Sequence, residues 1–356
     1  MRFHGGYYQS REKILDFSTN LNPLGTPSII KDEIEHAILD NKIYQHYPDY
    51  TYTKLREAIA TFYNIEKKYV IPTNGASEAL NLAIIALNPR SITVVSPSYG
   101  DYELLCKSLS INCNHVLMKE SNNVFMLYHS EVLDFLRKNP CDIVIIVNPN
   151  NPTGSIIDYD LIVDLAQELR NSGSWLIIDE AYAELSEYKS VLEFNAPENL
   201  VLIKSFTKMF SIPGLRLGFI YTTSPQVIER IDNIRSPWNV NSIADYVFKK
   251  VLIEYRNDLL QYMLRSREYV INERNFLVSR VRQLGFQVYE SKTNFILLKH
   301  PWISAMELRD LLLNRYKILI RPAHTFYGLS IHYSRISVRK REENEFLVKA
   351  LEEGVK

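Results

Sequence analysis

Apolar and polar positions along this chain change period several times, and each change marks an element. Residues 28–40 place Ile30, Ile34, Ala37 and Ile38 at helical spacing, and a second helix is expected near 53–63. Val70–Thr73 then predicts a short strand, with Gly75-Ala76-Ser77 opening a helix through Leu87. Strands are expected at Ile92–Val95, Asn114–Met118, Asp142–Val147, Trp175–Ile178, Leu200–Ile203 and Leu217–Tyr221. Helices are expected between them at 99–109, 130–138 and 158–171. Asp142–Val147 is a continuous apolar run, as in strands buried on both faces. Strands alternating with helices imply an α/β fold with a mostly parallel sheet covered on both sides.

The pattern differs at the two ends. Residues 1–30 hold too many turn formers for a long element and read as an irregular arm. A helical stretch from about 241 to 283, broken once, leads into an α+β region. There Phe286–Tyr289, Asn294–Leu298 and Ile318–Arg321 read as short strands, and 304–314 and 341–353 as helices. The expected division is a large domain at 31–264 and a smaller one from 265–356 joined by the arm 1–30.

Composition narrows the function. Forty-one Lys and Arg balance forty-one Asp and Glu, which removes a bulk electrostatic case for nucleic acid or acidic membranes. No apolar run approaches the ~18 residues of a membrane span, and the first residues lack the apolar run of a signal peptide. Cys106, Cys113 and Cys141 are odd in number and lack metal-type spacing, so no metal is expected and a cytoplasmic location is. Twelve glycines in 356 residues is about half the usual ~7%, so their positions are informative. Several follow predicted strands, at the sheet edge where open α/β folds bind ligands.

Four polar clusters lie at that edge. Thr73-Asn74-Gly75-Ala76-Ser77 is a strand, a glycine turn and a helix start, whose free N–H groups suit a phosphate; an ordinary βα turn has the same letters. Asn148-Pro149-Asn150-Asn151-Pro152-Thr153-Gly154 is a rigid loop able to present a side-chain amide, or simply a tight turn. Asp179 directly follows an apolar strand and needs a partner, either a protonated ring nitrogen of a cofactor or a neighbouring basic side chain. Lys208, between apolar residues, is placed to act as a nucleophile, with Ser205, Thr207 and Arg216 as phosphate donors; a snorkelling surface lysine is the alternative.

Taken in order, Gly75-Ala76-Ser77, Pro97-Ser98-Tyr99-Gly100, Asn148–Gly154, Asp179–Tyr182, Ser205–Lys208 with Arg216, and Arg335-Ile336-Ser337-Val338 resemble the fold-type I pyridoxal-phosphate enzymes of the aspartate aminotransferase superfamily. The resemblance covers essentially the whole chain. It implies a mostly parallel seven-stranded sheet, pyridoxal 5'-phosphate, and a homodimer with shared sites. By position, Lys208 resembles the Schiff-base lysine and Asp179 the carboxylate on the pyridine nitrogen. Asn151 and Tyr182 resemble the pair on the phenolic oxygen, and Tyr99 the stacking aromatic. The N–H groups of Ala76 and Ser77, with Gly75, Ser205, Thr207 and Arg216, resemble the phosphate cup. Tyr47 resembles a tyrosine reaching the partner's phosphate, and Arg335 the binder of the α-carboxylate.

Two subgroups share these motifs. Histidinol-phosphate aminotransferases have nearly all of them. L-threonine-O-3-phosphate decarboxylases add an N-terminal His-Gly-Gly, here His4-Gly5-Gly6, and a segment like Asp16–Gly25, and their tail is similar to Arg335–Asn344. Ile320–Phe326 departs from the pattern, which more often has an Asp-Cys pair after Arg321. The expected activity is therefore decarboxylation of a phosphorylated amino acid, with His4, Asn20, Asn22 and Arg321 joining Arg335 as substrate ligands. Transamination of histidinol phosphate or a related amino acid is the alternative.

Overall fold

The computed structural model describes residues 5–6, 14–194 and 196–354, so His4 lies outside the described residues. Seven strands form the large sheet: Val70–Thr73 (β1), Ser91–Ser96 (β2), Asn112–Leu117 (β3), Ile143–Val147 (β4), Trp175–Asp179 (β5), Leu200–Ser205 (β6) and Gly218–Tyr221 (β7). Their spatial order is β1-β7-β6-β5-β4-β2-β3. β7 runs antiparallel to β1 and β6, and the other pairs are parallel. The apolar run of β4 is shared between two cores by alternation. Ile143, Ile145 and Val147 face one layer of helices, and Val144 and Ile146 the other. Each such side chain contributes roughly 1.5–3 kcal/mol on burial, and β4 is buried at all five positions.

The predicted long helix is two helices, Ser242–Glu254 and Arg256–Gln283, meeting at Tyr255. The second starts in the core of the large sheet through Leu259 and Met263 and ends in a separate core through Leu277 and Val281. That separate core lies on an antiparallel sheet of Gln287–Val288 (β8), Phe295–Lys299 (β9), Arg321–Pro322 (β10) and Tyr333–Ser337 (β11), in the order β8-β9-β11-β10.

Three features differ from the expectations. Ile318–Arg321 is not one strand. Ile318–Leu319 pairs in parallel with Leu15–Asp16 of the arm, and the chain passes Ile320 before Arg321 joins β11. Ile320, where the pairing breaks, is as apolar as Ile318 and Leu319 before it, so periodicity could not show the break. β11, sequence Tyr-Ser-Arg-Ile-Ser, is buried at all five positions despite its polar letters; burial of serines and an arginine gives no hydrophobic signal. A hairpin of Lys119–Ser121 with Val124–Met126 also went unread. It presents Glu120, which accepts hydrogen bonds from Tyr289 Oη (2.7 Å) and Tyr333 Oη (2.9 Å) and so ties the hairpin to the small sheet.

Candidate active site

The carboxyl ends of β1, β5 and β6, the loop after β4 and the turn before β7 enclose a cavity of about 170 Å3. Its lining includes Ala76, Ser77, Tyr99, Asn151, Asp179, Tyr182, Ser205, Thr207, Lys208 and Arg216. Sheet register brings them together. Val147 lies opposite Asp179, and Gly218 lies between Thr73 and Ser205.

One wall is an anion cradle. Gly75 has φ +78°, and a Cβ there would meet Arg216 Nη2 at 2.7 Å, so the guanidinium sits directly over the turn. Gly218 permits the same closeness from below, since a Cβ there would lie 2.5 Å from Lys204 O and 3.0 Å from Ala76 N. Arg216 itself takes φ +54°, a backbone strain kept at a position where the side chain closes the cradle. The helix Gly75–Leu87 begins here, with Ala76 and Ser77 N–H groups at its free end. Ser205 Oγ accepts from Thr207 N (3.3 Å), and Thr207 Oγ1 is buried with no partner among the described residues.

The floor is Asp179. Its Oδ2 accepts from Tyr102 Oη (2.7 Å) and its Oδ1 from Ala181 N (2.9 Å). Burial pushes this carboxyl above the ordinary aspartate range, and the two donors act against that shift. Tyr99 packs edge-on against Tyr102, with ring centroids 5.9 Å apart, and donates to Asp101 Oδ2. Lys208 Nζ lies 6.0 Å from the centroid of the Tyr182 ring and makes no salt bridge among the described residues.

The opposite wall belongs to the small sheet and the arm. Arg335, on β11, is buried; its Nη1 donates to Asn151 Oδ1 (2.5 Å) and its Nη2 to Ser18 O (2.7 Å). Both acceptors are uncharged, and its Nε has no partner among the described residues. Arg321 donates to Pro322 O and Thr325 Oγ1. Burial, and then the Arg335 charge, pull Arg321 down to about 9. Asn20 Nδ2 donates to Tyr182 Oη (3.3 Å), and Asn294 Nδ2 holds Asn20 O. Asn22 turns its amide to Met209 O and Ser266 Oγ, which fastens the arm beside the Lys208 helix. Tyr47 is away from the cavity, 79% exposed, with its ring 4.4 Å from that of Trp238.

Tyr102 was not picked out from the sequence. Its signal was available: three residues after Tyr99 on a helix, it turns to the sheet side. Asn294 and the Ser18 carbonyl had no such signal, because their roles depend on contacts far away in the chain.

The cavity fits a phosphorylated ring cofactor on the chain's own groups. A glycine turn under an arginine with a hydroxyl unpartnered among the described residues suits a phosphate, a lysine amine without an ion pair among those residues lines the cavity, and a doubly supported carboxylate faces it. A family model described as aminotransferase class I and II matches residues 12–351. The adenosylcobalamin biosynthesis bifunctional protein CobDQ of Leptospira interrogans is 33% identical over 95% of this chain, which spans 38% of that protein's length. A histidinol-phosphate aminotransferase of Caldanaerobacter subterraneus is 31% identical over 86% of this chain and 84% of its own. Among solved structures, the histidinol-phosphate aminotransferase of Clostridium acetobutylicum is 27% identical with a TM-score of 0.86, covering 96% of this chain and 98% of that one. The L-threonine-O-3-phosphate decarboxylase of Porphyromonas gingivalis is 26% identical with a TM-score of 0.81, covering 96% and 99%.

Proposed function

This chain belongs to the aminotransferase class I and II family, whose cofactor is pyridoxal 5'-phosphate, and we propose that it decarboxylates L-threonine O-3-phosphate to (R)-1-aminopropan-2-yl phosphate and CO2. The observation that carries the choice is the arm. Its Asp16–Gly25 segment, complete in this sequence, meets the cavity through Ser18 O on Arg335 and Asn20 on Tyr182. A bifunctional adenosylcobalamin biosynthesis relative and a threonine-phosphate decarboxylase structure support the same reading.

When bound, pyridoxal phosphate supplies an electron sink for the pair released as a bond at Cα breaks. The chain's residues do the rest. Asp179 offers a carboxylate oxygen to the ring nitrogen, held in place by Tyr102 and Ala181. Asn151 and Tyr182 hold the phenolic oxygen, and Tyr99 covers the ring face. Gly75, Ala76, Ser77, Ser205, Thr207 and Arg216 bind the cofactor phosphate. Lys208 Nζ would hold the cofactor through its amine and would be the group that returns a proton to Cα after CO2 loss. Arg335 and Arg321, with Asn20 and the His4 segment, take the carboxylate and phosphate of the substrate, whereas Asn22, whose amide is spent on Met209 O and Ser266 Oγ, holds the arm in place. Their placement decides which bond at Cα stands perpendicular to the ring, an effect of positioning. Arg335 suits a carboxylate because its present acceptors are uncharged and its Nε has no partner among the described residues.

The same reading makes the enzyme a cytoplasmic homodimer in which the exposed Tyr47 reaches the partner's cofactor phosphate. It divides the chain into a cofactor-binding domain at 31–264 and a smaller domain of 1–30 with 265–356. The second reading is transamination of histidinol phosphate or a related amino acid, favoured by the histidinol-phosphate aminotransferases among the relatives and structures.

The test is a product assay on purified, cofactor-loaded protein given L-threonine O-3-phosphate without any keto acid. Sustained CO2 and aminopropanol phosphate over many turnovers is the expected result. No release, with histidinol phosphate and 2-oxoglutarate consumed instead, would establish the aminotransferase.

A further inference from the structure

After β10 the chain leaves the small sheet, touches the edge strand β3 of the large one, and returns as β11. Residues 323–329 form this strap, and the proposed reaction gives it no part. Its root is tied to the small sheet. Ala323 N donates to Tyr333 O (2.7 Å), and Phe326 N to Ala323 O (3.1 Å). Phe326 is buried, with the Arg321 guanidinium 5.1 Å and the Arg335 guanidinium 6.0 Å from its ring centroid. One aromatic ring thus faces both cations. Thr325 Oγ1 accepts from Arg321 Nη2 (2.8 Å). Thr325 O passes the turn that follows Tyr99, 3.6 Å from where a Cβ on Gly100 would lie.

The far end of the strap is seated on β3. Tyr327 is 50% exposed, yet its ring lies flat on His115, with centroids 3.8 Å apart and planes 11° apart. His115 Nδ1 is 2.8 Å from Ser96 Oγ and its Nε2 3.8 Å from Cys113 Sγ, so the imidazole plane is set from both nitrogens. Ser96 ends β2 and leads through Pro97 and Ser98 to Tyr99. Leu117, two residues after His115, shares its face of β3. Gly328 takes φ +88°, and a Cβ there would meet Leu117 Cδ2 at 2.8 Å. Any other residue would be strained at that φ and would crowd β3.

We propose that Tyr327 and His115 are positioning residues for substrate binding: their stack clasps the strap to β3 and so holds Arg321, through Thr325 and Phe326, in register with Tyr99. The inference rests on the reading of Arg321 as a substrate ligand. Neither ring lines the cavity, so the pair acts only through the strap. Without the clasp Arg321 keeps its charge but loses its fixed direction, and a bound anion must supply the ordering that the native chain has already completed. The effect therefore falls on substrate affinity and leaves the cofactor's own contacts in place.

The experiment compares full-length, cofactor-loaded Tyr327→Ala, His115→Ala, their double variant and Tyr327→Phe with the native enzyme. Binding is read from the cofactor absorbance on titration with L-threonine O-3-phosphate, alongside KM and kcat. Each alanine variant should bind roughly three- to tenfold more weakly, the range an aromatic stack supplies. KM should rise by the same factor, with kcat and pyridoxal phosphate affinity near native. The double variant should be no worse than either single one, and Tyr327→Phe, which keeps the stack, should bind like the native enzyme. Hydrogen exchange should quicken in the peptide holding 323–329 and not in the one holding Lys208. Unchanged exchange in Tyr327→Ala overturns the clasp, and faster exchange with native binding overturns its link to Arg321. Equal losses in kcat and cofactor affinity would mark a merely structural contact and overturn the positioning role. If the native enzyme does not bind L-threonine O-3-phosphate, the decarboxylase reading fails by itself. The same titration with histidinol phosphate then decides the clasp, and the exchange comparison needs no substrate.

Discussion

Two lysine–carboxylate sites sit four residues apart and end oppositely. Lys204 and Glu180 lie on the far side of β6 and β5 from the cavity. Lys204 Nζ is fully buried and donates to Glu180 Oε2 (2.9 Å) and Glu184 Oε1 (2.6 Å), while Tyr188, Ser190 and Val191 N also donate to Glu180. Lys208 and Asp179 face the cavity; Lys208 has no salt bridge among the described residues, and the partners of Asp179 are uncharged donors. The residue types are the same on both sides. Where the lysine charge is answered by carboxylates of the same chain, the cluster holds the fold together. Where charges are left for something else to answer, the cluster is a site.

The largest expected effect would break the cavity half of this contrast. Lys208→Ala should cost turnover on the order of 10^3-fold or more while leaving the unfolding midpoint nearly unchanged; normal CO2 release from that variant would sink its assignment. Lys204→Met should do the reverse. It leaves two carboxylates buried without their cation and should cost about 3–5 kcal/mol in denaturant unfolding. The folded-state Lys204 pKa is raised, the ion pairs prevailing over burial. Its contribution is therefore complete below pH 10.5 and fades as pH rises through the folded value. A Lys204→Met deficit that did not shrink at high pH would contradict an ion-pair role.

Asp179→Asn sharpens the contrast further. Burial raises this carboxyl, so in the apoprotein its ionised form opposes folding, a penalty absent below pH 3.8 and growing as pH rises through the folded pKa. The asparagine variant should lack this pH-dependent loss of apoprotein stability and be less competent with cofactor. Thermal melts at pH 7 and at pH 3.8 should show native apoprotein gaining on the variant as pH falls to 3.8. The smallest effect is expected from Tyr102→Phe, which removes one donor from Asp179. A loss of about 1 kcal/mol in cofactor affinity, read by titrating pyridoxal phosphate, is the outcome; equal affinity would mean that Ala181 N alone suffices.

The contrast also explains which parts were legible in the sequence. The β-strand runs 143–147 and 175–179 and the glycine turn at Gly75 announce themselves because apolar continuity and turn chemistry are local properties. Asp179 stood out for being polar at a strand end, and Lys208 for lying between apolar residues. The substrate face did not. Arg335 meets Ser18 across 317 positions, β11 hides under polar letters, and Asn22 proves to be committed to Met209 and Ser266. Nothing within a window of ten residues records such pairings. Likewise Glu180 and Asp179 look alike in sequence, and only the pleat of β5 separates the structural carboxylate from the one at the cavity.

The pairing of Leu15–Asp16 with Ile318–Leu319 also sets an order on synthesis. The parallel sheet and its glycine cradle are composed of residues 70–221 and can collapse while the ribosome still holds the rest of the chain. The arm is made before the large sheet and its docking strand Ile318–Leu319 after it. It must therefore wait, unpaired, while β1 to β7 are synthesised, and the wall of the arm and β11 is assembled only after β11 has been made. A nascent chain truncated before β11 would present the cofactor cradle without its gatekeeper.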